Sequence, residues 1–378
     1  MRACPSKKLK VKPTATSLAV MVGVWLLSAL LFSACMKGNE GTCMSGVETP
    51  CIPEEGPHYR LADYGLFIGE ISNLEPVDGL IPYDLNTPLF TDYAEKSRFI
   101  YVPSDSSIVY NADNELVFPV GSTLVKNFFY YRNEQNESAG RILVETRLMI
   151  LKQYGWTANT YVWNEEQTEA ILLQVGGSRQ VSWLDREGLQ RTVSYQIPSI
   201  NDCKTCHSNN NAMVLLGPKV RNLNQEFYYP DEMETENQLL HWNHSGILQG
   251  LPNPDSLSRL PVWNLSSTGT LNERARAYLD VNCGMCHNPG GSANNSRLFL
   301  NLETPMGTNL GIYKRPLAPG LGSGDLDYDI VPGKPDSSIM VYRMESVEPQ
   351  IRMPELGRTL VHDEAVQLIR EWIEQMEL

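Results

Sequence analysis

Residues Ser122–Lys152 have the sequence STLVKNFFYYRNEQNESAGRILVETRLMILK. Two runs rich in β-branched and aromatic residues, which are enriched in strands, flank the turn-forming segment RNEQNESAG. In the second run, aliphatic residues recur mostly at a spacing of two, which predicts that they share one face of a strand. Those residues are Ile142, Val144, Leu148 and Ile150. The stretch therefore predicts a pair of antiparallel strands joined by a turn.

Four further runs of this kind follow toward the C-terminus, separated by short polar turns. They are Thr157–Trp163, Ala170–Gln174, Gln180–Leu184 and Arg191–Ile197. Short strands joined by short turns are typical of antiparallel sandwiches and barrels, so we predict a β-rich domain over residues 61–198. Its tryptophans are expected in the core or rim rather than in a ligand cage, because aromatic residues are ordinary strand residues. These tryptophans are Trp156, Trp163 and Trp183.

After residue 198 the strand pattern ends, and two motifs of the form CxxCH follow. They are CKTCH at Cys203–His207 and CGMCH at Cys283–His287. At this spacing, the two thiols can form thioether bonds with the two vinyl groups of one haem, and the histidine can bind the haem iron. The sequence therefore predicts two covalently bound haem c groups. The predicted attachment residues are Cys203, Cys206, Cys283 and Cys286, and the predicted iron ligands are His207 and His287.

Two other uses of paired cysteines fit the sequence less well. In a zinc ribbon the CxxC units lie roughly 15–20 residues apart, whereas these motifs are 80 residues apart and each ends in a histidine. A thioredoxin-like redox pair belongs to a βαβ pattern, and neither motif lies in such a pattern.

Two helices are predicted around the second motif. Leu271–Val281 leads into CGMCH, and Asp363–Met376 is amphipathic, with Asp363 as its N-cap. The apolar face of the second helix consists of Val366, Ile369, Trp372 and Ile373.

Residues 269–378 resemble a class I cytochrome c domain, in which a helix, a CxxCH motif, a long loop, a Met-Pro pair and a C-terminal helix follow one another. The resemblance implies that Met353 is the second axial ligand of the haem at His287. A thioether ligand favours Fe(II) and raises the reduction potential relative to a second histidine. Met340 and Met344 are the alternative ligands.

For the haem at His207, the sequence offers several candidates for the second axial ligand. The candidates are Met213, Met233, His241 and His244. The two histidines are three residues apart, a spacing that places them on one face of a helix, and we favour one of them. A five-coordinate haem with an open face is the remaining alternative.

A leader precedes the β-rich region. Five basic residues without an acidic one are followed by an apolar run, Leu18–Phe32, and then by Ser-Ala-Cys ending at Cys35. This pattern is typical of a secretory signal over residues 1–34, and the run is shorter than the roughly 20 apolar residues of a membrane span. Residues 32–35 resemble a lipobox, which implies lipidation of Cys35; an ordinary signal peptide cleaved nearby is the alternative.

Residues 35–60 are polar and rich in Gly, Pro and Glu, which predicts a flexible tether. Cys43 and Cys51 lie within it and are candidates for a small disulfide loop, with two free thiols as the alternative. We therefore expect an exported protein, lipid-anchored to a bacterial membrane on its periplasmic or cell-surface side.

The chain has a formal net charge of −13, and loss of the basic leader makes the remainder more acidic. Such a protein is a poor binder of nucleic acids and should prefer cationic partners.

From Gly65 to the C-terminus the chain resembles a family of bacterial dihaem c-type cytochromes. The matching segments are Thr87–Asp92, Phe118–Ser122, Glu145–Leu148, Tyr161–Asn164, Ile197–Pro198, Leu216–Lys219, Ala277–Cys283, Val331–Pro335 and Met353–Pro354. The resemblance implies an α+β multidomain protein, in which the β-rich domain precedes a mainly α haem-binding region. That region consists of a first haem-binding unit over residues 199–268 and a cytochrome c domain over residues 269–378. The resemblance implies no substrate.

The expected function is electron transfer between a periplasmic dehydrogenase and a respiratory acceptor. The expected redox partners are the dehydrogenase, the acceptor and other cytochromes. A haem whose iron has two protein ligands has no open position and only exchanges electrons. One alternative is a haem enzyme, such as a dihaem peroxidase or an oxidoreductase that binds substrate in the β domain. Another is a binding module that docks a glycan or a protein through Trp156 and Trp163. No acid/base constellation of a peroxidase is evident, so a carrier is expected rather than a catalyst.

Overall fold

The computed structural model describes residues 49–111, 116–317 and 320–377. The predicted signal peptide, the lipidation site Cys35, the first part of the tether and Cys43 lie outside these residues. Cys51 is described and is disulfide-bonded, and its pairing with Cys43 stays a prediction. No helix in the three described ranges is long and apolar enough to cross a membrane.

Strands and helices are numbered in chain order. The strands are β1 Phe67–Ile68, β2 Glu75–Pro76, β3 Leu80–Tyr83, β4 Glu95–Tyr101, β5 Ile108–Tyr110, β6 Leu116–Val117, β7 Thr123–Tyr131, β8 Arg141–Lys152, β9 Gly155–Trp163, β10 Ala170–Leu172, β11 Gly177–Leu184, β12 Gln190–Ile197, β13 Ser208–Asn209, β14 Ala212–Met213, β15 Glu226–Tyr229, β16 Glu234–Asn237 and β17 Leu248–Gln249. The helices are α1 Ile200–His207, α2 Val220–Leu223, α3 Gln238–His244, α4 Leu271–Asn282, α5 Ile339–Glu345 and α6 Asp363–Glu374.

A six-stranded antiparallel sheet is the centre of the β-rich part, in the order β10-β9-β8-β7-β4-β3. Its longest hairpin is β7–β8, which confirms the strand pair predicted from Ser122–Lys152. Strands β9 to β12 match the other four predicted runs to within three residues. The strand order is open, so the sheet is not a barrel. The hairpin β11–β12 pairs internally and packs across one face of the sheet.

The prediction that four aliphatic residues of β8 share one face is wrong. The pairing of β7 with β8 shifts by one residue at a bulge, which leaves Val144 as the extra residue of β8. Because side chains alternate along a strand, one inserted residue reverses which residues face which side. Ile142 and Val144 therefore pack in one hydrophobic cluster, whereas Leu148 and Ile150 pack in another.

The two faces of the sheet have different neighbours. The face that carries Leu148 packs against the segment 61–77. The opposite face carries two separate hydrophobic clusters: one contains Phe128 and the β11–β12 hairpin, and the other contains Leu124 and Trp242. Lys126 lies between Leu124 and Phe128 on β7 and has the same orientation, because side chains two residues apart share a face. The strip between the two clusters is therefore charged.

In residues 199–377, loops and 3-10 turns occupy more of the chain than helices do, so this region is not mainly α. Helix α4 confirms the first predicted helix and begins with a capping box, in which Thr270 and Glu273 each bond the other's backbone N–H. Helix α6 confirms the second, but its N-cap is His362, and Asp363 is its first helical residue. The predicted apolar face is buried; it consists of Val366, Ile369, Trp372 and Ile373.

The segment Thr87–Asp92 connects the sheet to the C-terminal region. The backbone N–H of Phe90 donates to the side chain of Asn282 over 2.8 Å. The carboxylate of Asp92 accepts from the backbone N–H of Thr359 over 2.6 Å. From residue 49 onward, the described chain packs as one compact unit. These bonds hold the sheet against the helix that leads into the second motif and against the loop before α6. The first motif follows β12 directly along the chain.

Candidate functional site

The first CxxCH motif lies in helix α1, directly after strand β12. Ser199 is the N-cap of this helix: its hydroxyl accepts from the N–H of Asp202 over 3.2 Å, and the Asp202 carboxylate accepts from the N–H of Ser199 over 2.8 Å. Within the helix, positions i, i+3 and i+4 lie on one face. The helix therefore presents Cys203, Cys206 and His207 on the same side.

The second motif follows helix α4 without a linker. The backbone N–H groups of Cys286 and His287 donate to the carbonyl of Cys283 over 3.1 and 2.9 Å, so the motif forms a tight turn. A glycine is needed at Gly284, because a Cβ there would lie 2.6 Å from the carbonyl oxygen of Asp280. The four cysteines of the two motifs are free thiols, the form that thioether attachment requires.

Both motif histidines have the same hydrogen-bonding arrangement. Nδ1 of His207 lies 2.9 Å from the carbonyl oxygen of Val214, and Nδ1 of His287 lies 3.2 Å from that of Leu298. A carbonyl oxygen only accepts, so Nδ1 carries the proton and Nε2 keeps the lone pair that an iron ligand needs. Burial lowers the pKa of His207 to about 4 and lowers the pKa of His287 as well. Both rings are therefore neutral at pH 7.

The two motifs touch each other. Cys286 Sγ lies 3.8 Å from the carbonyl oxygen of Thr205. The interaction between the thiols of Cys206 and Cys286 raises the pKa of the Cys206 thiol and lowers the pKa of the Cys286 thiol to about 7. The following loops are also joined, because the N–H of Asn210 donates to the carbonyl of Gly290 over 3.0 Å. Residues 80 positions apart in sequence thus form one site.

A single cavity of about 680 Å³ is lined by both motifs, by one face of the sheet and by the loop before α6. This volume is within the range of about 300–1,000 Å³ that is typical of ligand pockets. Much of the lining is apolar, which suits a porphyrin; the apolar residues include Leu124, Met149, Leu215, Leu300 and Ile339.

Met353 lines this cavity together with His287. The loop that carries it is fixed by Arg358, whose side chain is buried and donates to the carbonyl oxygens of Met353 and Met344 over 2.8 and 3.1 Å. Met340 and Met344 also line the cavity, but both lie on α5 and pack in the hydrophobic core of the C-terminal region. Met353 thus lies on a loop at the cavity wall, whereas its two alternatives are core residues.

None of the four residues predicted as the second ligand of the first haem lines the cavity. His241 is buried on α3, where it stacks on Tyr229 at 3.6 Å and pairs with Glu236 at 3.3 Å. His244 is exposed and pairs with the same carboxylate at 2.7 Å. Met213 lies on β14 and pairs with Ser208, the residue after His207, but it does not line the cavity. The side chain of Met233 is exposed. The structure therefore places none of the four at the cavity wall beside His207.

Three cations of the sheet do line the cavity, and sequence reasoning missed them. Arg98 pairs across strands with Lys126, which in turn pairs with Arg147. Arg147 is neutralised by the buried Glu145 at 2.5 Å, and burial lowers the pKa of Lys126 well below its usual value. The available signal was the presence of a lysine and an arginine inside otherwise apolar strands.

Two tryptophans proposed as docking residues are not available as an exposed pair. Trp163 is buried, and its Nε1 donates to Thr146 Oγ1 over 3.0 Å. Trp156 is partly buried and packs edge-on against Phe118 at 5.6 Å. Both are packing residues of the sheet, as predicted for the tryptophans of this domain.

Comparisons with protein families, with curated proteins and with solved structures find no match. Among the described residues there is also no group of three or more His, Cys, Asp or Glu side chains that could hold a bare metal ion. A haem iron needs fewer protein ligands, because the porphyrin supplies the equatorial ones and the chain supplies one or two axial ones.

Proposed function

We propose that this protein is a dihaem c-type cytochrome that transfers electrons between a dehydrogenase and a respiratory acceptor. The observation that carries the proposal is the pairing of two CxxCH motifs at one cavity, each with a neutral histidine whose Nε2 is free. Free thiols at the attachment spacing and an apolar wall support the same assignment.

Haem supplies reversible one-electron exchange when it is bound. The chain supplies attachment through four thiols, axial ligation through His207 and His287, and a largely apolar cavity that limits the access of water. Because Cys286 contacts Thr205, two haems attached at these motifs would be close to each other. A short separation favours rapid electron exchange between them, which is what a relay requires.

The second haem-binding unit is proposed to be similar to a class I cytochrome c domain. The order of α4, motif, long loop, Met353 and α6 supports this comparison, and the position of Met353 at the cavity wall supports its role as second axial ligand of the haem at His287.

We also propose export and lipid anchoring at Cys35, so that the acidic protein meets cationic faces of redox partners outside the cytoplasm. The test is membrane fractionation of cells that express the full chain. Wild type is expected in the membrane fraction and Cys35→Ser in the soluble periplasmic fraction. Equal distributions of the two proteins would contradict the anchor.

The central test is the haem content of the full chain produced in a host that attaches haem c. Mass spectrometry and a pyridine haemochrome assay should give two covalent haems per chain for wild type. The double variants Cys203→Ala/Cys206→Ala and Cys283→Ala/Cys286→Ala should each keep one. A wild-type chain without covalent haem rules the proposal out.

A haem enzyme is the second candidate, and one observation favours it. Since none of the four predicted ligands lines the cavity, the haem at His207 has no assigned second ligand. Binding of CO and cyanide separates the two functions. An electron carrier with two axial ligands at each haem binds neither readily, whereas an enzyme binds one equivalent and turns over a substrate such as peroxide.

A further inference from the structure

The charged strip on the sheet is a continuous row across five strands. Its members are cross-strand neighbours in the order Tyr83, Arg98, Lys126, Arg147 and Thr160. All five line the cavity that both CxxCH motifs share. Adjacent strands are about 4.8 Å apart, so the row crosses the cavity wall from the first motif to the far edge of the sheet.

The charges of this row are unequally paired. Arg147 is neutralised by Glu145. Arg98 is 4% exposed; its Nη1 bonds Asp84, but its Nε and Nη2 have no hydrogen-bond partner. Lys126 Nζ makes no hydrogen bond among the described residues and lies 4.9 Å from the ring of Phe128. Unpaired donors on a buried guanidinium are unfavourable, so an anion in the cavity would stabilise this end of the row.

The first motif sits at the other end of the row. Cys203 and Thr160 both line the cavity, and the Cys203 thiol lies in the electrostatic field of Arg147. Arg98 is three strands away from Thr160, about 14 Å at the usual strand spacing. In haem c, the vinyl edge is held by the thioethers, and the two propionates are on the opposite edge. A haem attached at Cys203 and lying along the sheet therefore directs its carboxylates toward Arg98 and Lys126.

We propose that Arg98 and Lys126 bind the propionate carboxylates of the haem attached at Cys203 and Cys206. A guanidinium with two free donors matches a carboxylate in a bidentate geometry, and a propionate beside Lys126 would favour the protonated form of this lysine. In this arrangement one face of the β-rich domain contacts the first haem and fixes its orientation. The inference rests on the proposed haem attachment.

The experiment is a spectroelectrochemical titration of the haem-loaded full chain, comparing wild type with Arg98→Gln and Lys126→Gln. A cation beside the propionates stabilises the reduced haem, so each variant should lower the potential of one haem and leave the other unchanged. Lys96→Gln is the matched control, because Lys96 is on the same strand and face as Arg98 but outside the cavity lining. Its two potentials should equal those of wild type.

Three outcomes overturn the proposal. The first is a haem-loaded Arg98→Gln protein with unchanged potentials. The second, which needs no variant, is a crystal structure of the haem-loaded wild type in which both propionates of the first haem lie away from Arg98. The third is saturable binding of succinate that Arg98→Gln abolishes. That result would mean that Arg98 and Lys126 bind a free carboxylate ligand rather than the haem propionates. A wild-type chain that carries no haem refutes the proposed function instead, so the two failures are distinct.

Discussion

Cys286 Sγ lies 3.8 Å from the carbonyl oxygen of Thr205, so the turn of the second CxxCH motif rests on the helix of the first. A peptide group and a thiol from opposite ends of an 80-residue segment are thus in contact. Two cofactors attached at these positions would share one wall and one solvent boundary. A change in the redox state of one cofactor should therefore shift the reduction potential of the other through their electrostatic interaction.

Met353→Ala should convert the haem at His287 from low-spin to high-spin, because the methionine lies on the cavity wall and has no core role. EPR and CO binding measure the change. Met340→Ala is the matched control: it creates a core cavity on α5 and should lower the free energy of unfolding by about 2–5 kcal/mol without changing the spin state. A spin change in the control alone would assign the ligand to Met340.

Gly284→Ala should reduce occupancy of the second haem and destabilise the chain by about 1–3 kcal/mol, because its Cβ would approach the carbonyl of Asp280 to 2.6 Å. Lys204 holds the same position in the first motif and is exposed. Lys204→Ala should therefore change stability by no more than about 0.5 kcal/mol. Haem counts and urea unfolding of both variants test this asymmetry, and equal effects at the two motifs would count against it.

Asp92→Ala should lower the free energy of unfolding by about 2–4 kcal/mol, since it leaves two buried N–H groups without an acceptor. Its carboxylate accepts from Thr359 N at 2.6 Å and from Leu360 N at 2.8 Å. Asp78 is exposed, and Asp78→Ala should stay within about 0.5 kcal/mol of wild type. Denaturant titration compares the two. A small decrease in the free energy of unfolding for Asp92→Ala would mean that other contacts hold the sheet against the C-terminal region.

His362 should make the protein acid-sensitive. Burial lowers its pKa from 6.5 to about 3, and its ring stacks on Phe90 at 4.0 Å. The pKa of His362 is lower in the folded protein than in the unfolded one, so its contribution to the free energy of unfolding is fully present above about pH 6.5. This contribution falls as the pH drops toward 3, by up to about 1.4 kcal/mol per pH unit. His362→Phe keeps the stack and removes the titration. The difference between the unfolding free energies at pH 7 and pH 4 should be smaller for this variant than for wild type. An equal difference in the two proteins would contradict the role of His362 in acid sensitivity.

The elements that the sequence predicts are those with local signals. Strands β7 to β12 follow from alternation and turn residues, α4 from its position before the second motif, and α6 from its apolar face. The CxxCH motifs themselves are local, because two thiols and a histidine within five residues define the attachment geometry. The bulge at Val144 was not predictable, since one extra residue alters pairing without altering composition.

By itself, the sequence determined the two CxxCH motifs and most of the strands and helices around them, because these depend on residues within a turn or two of one another. Only the tertiary structure decided that Cys286 contacts Thr205, that His241 and His244 lie away from the cavity, and that Arg98 joins Lys126 and Arg147 in one row. The physical reason is that contacts between distant segments depend on strand register and on which faces pack together. A single-residue shift in register would have moved the whole row to the opposite face of the sheet.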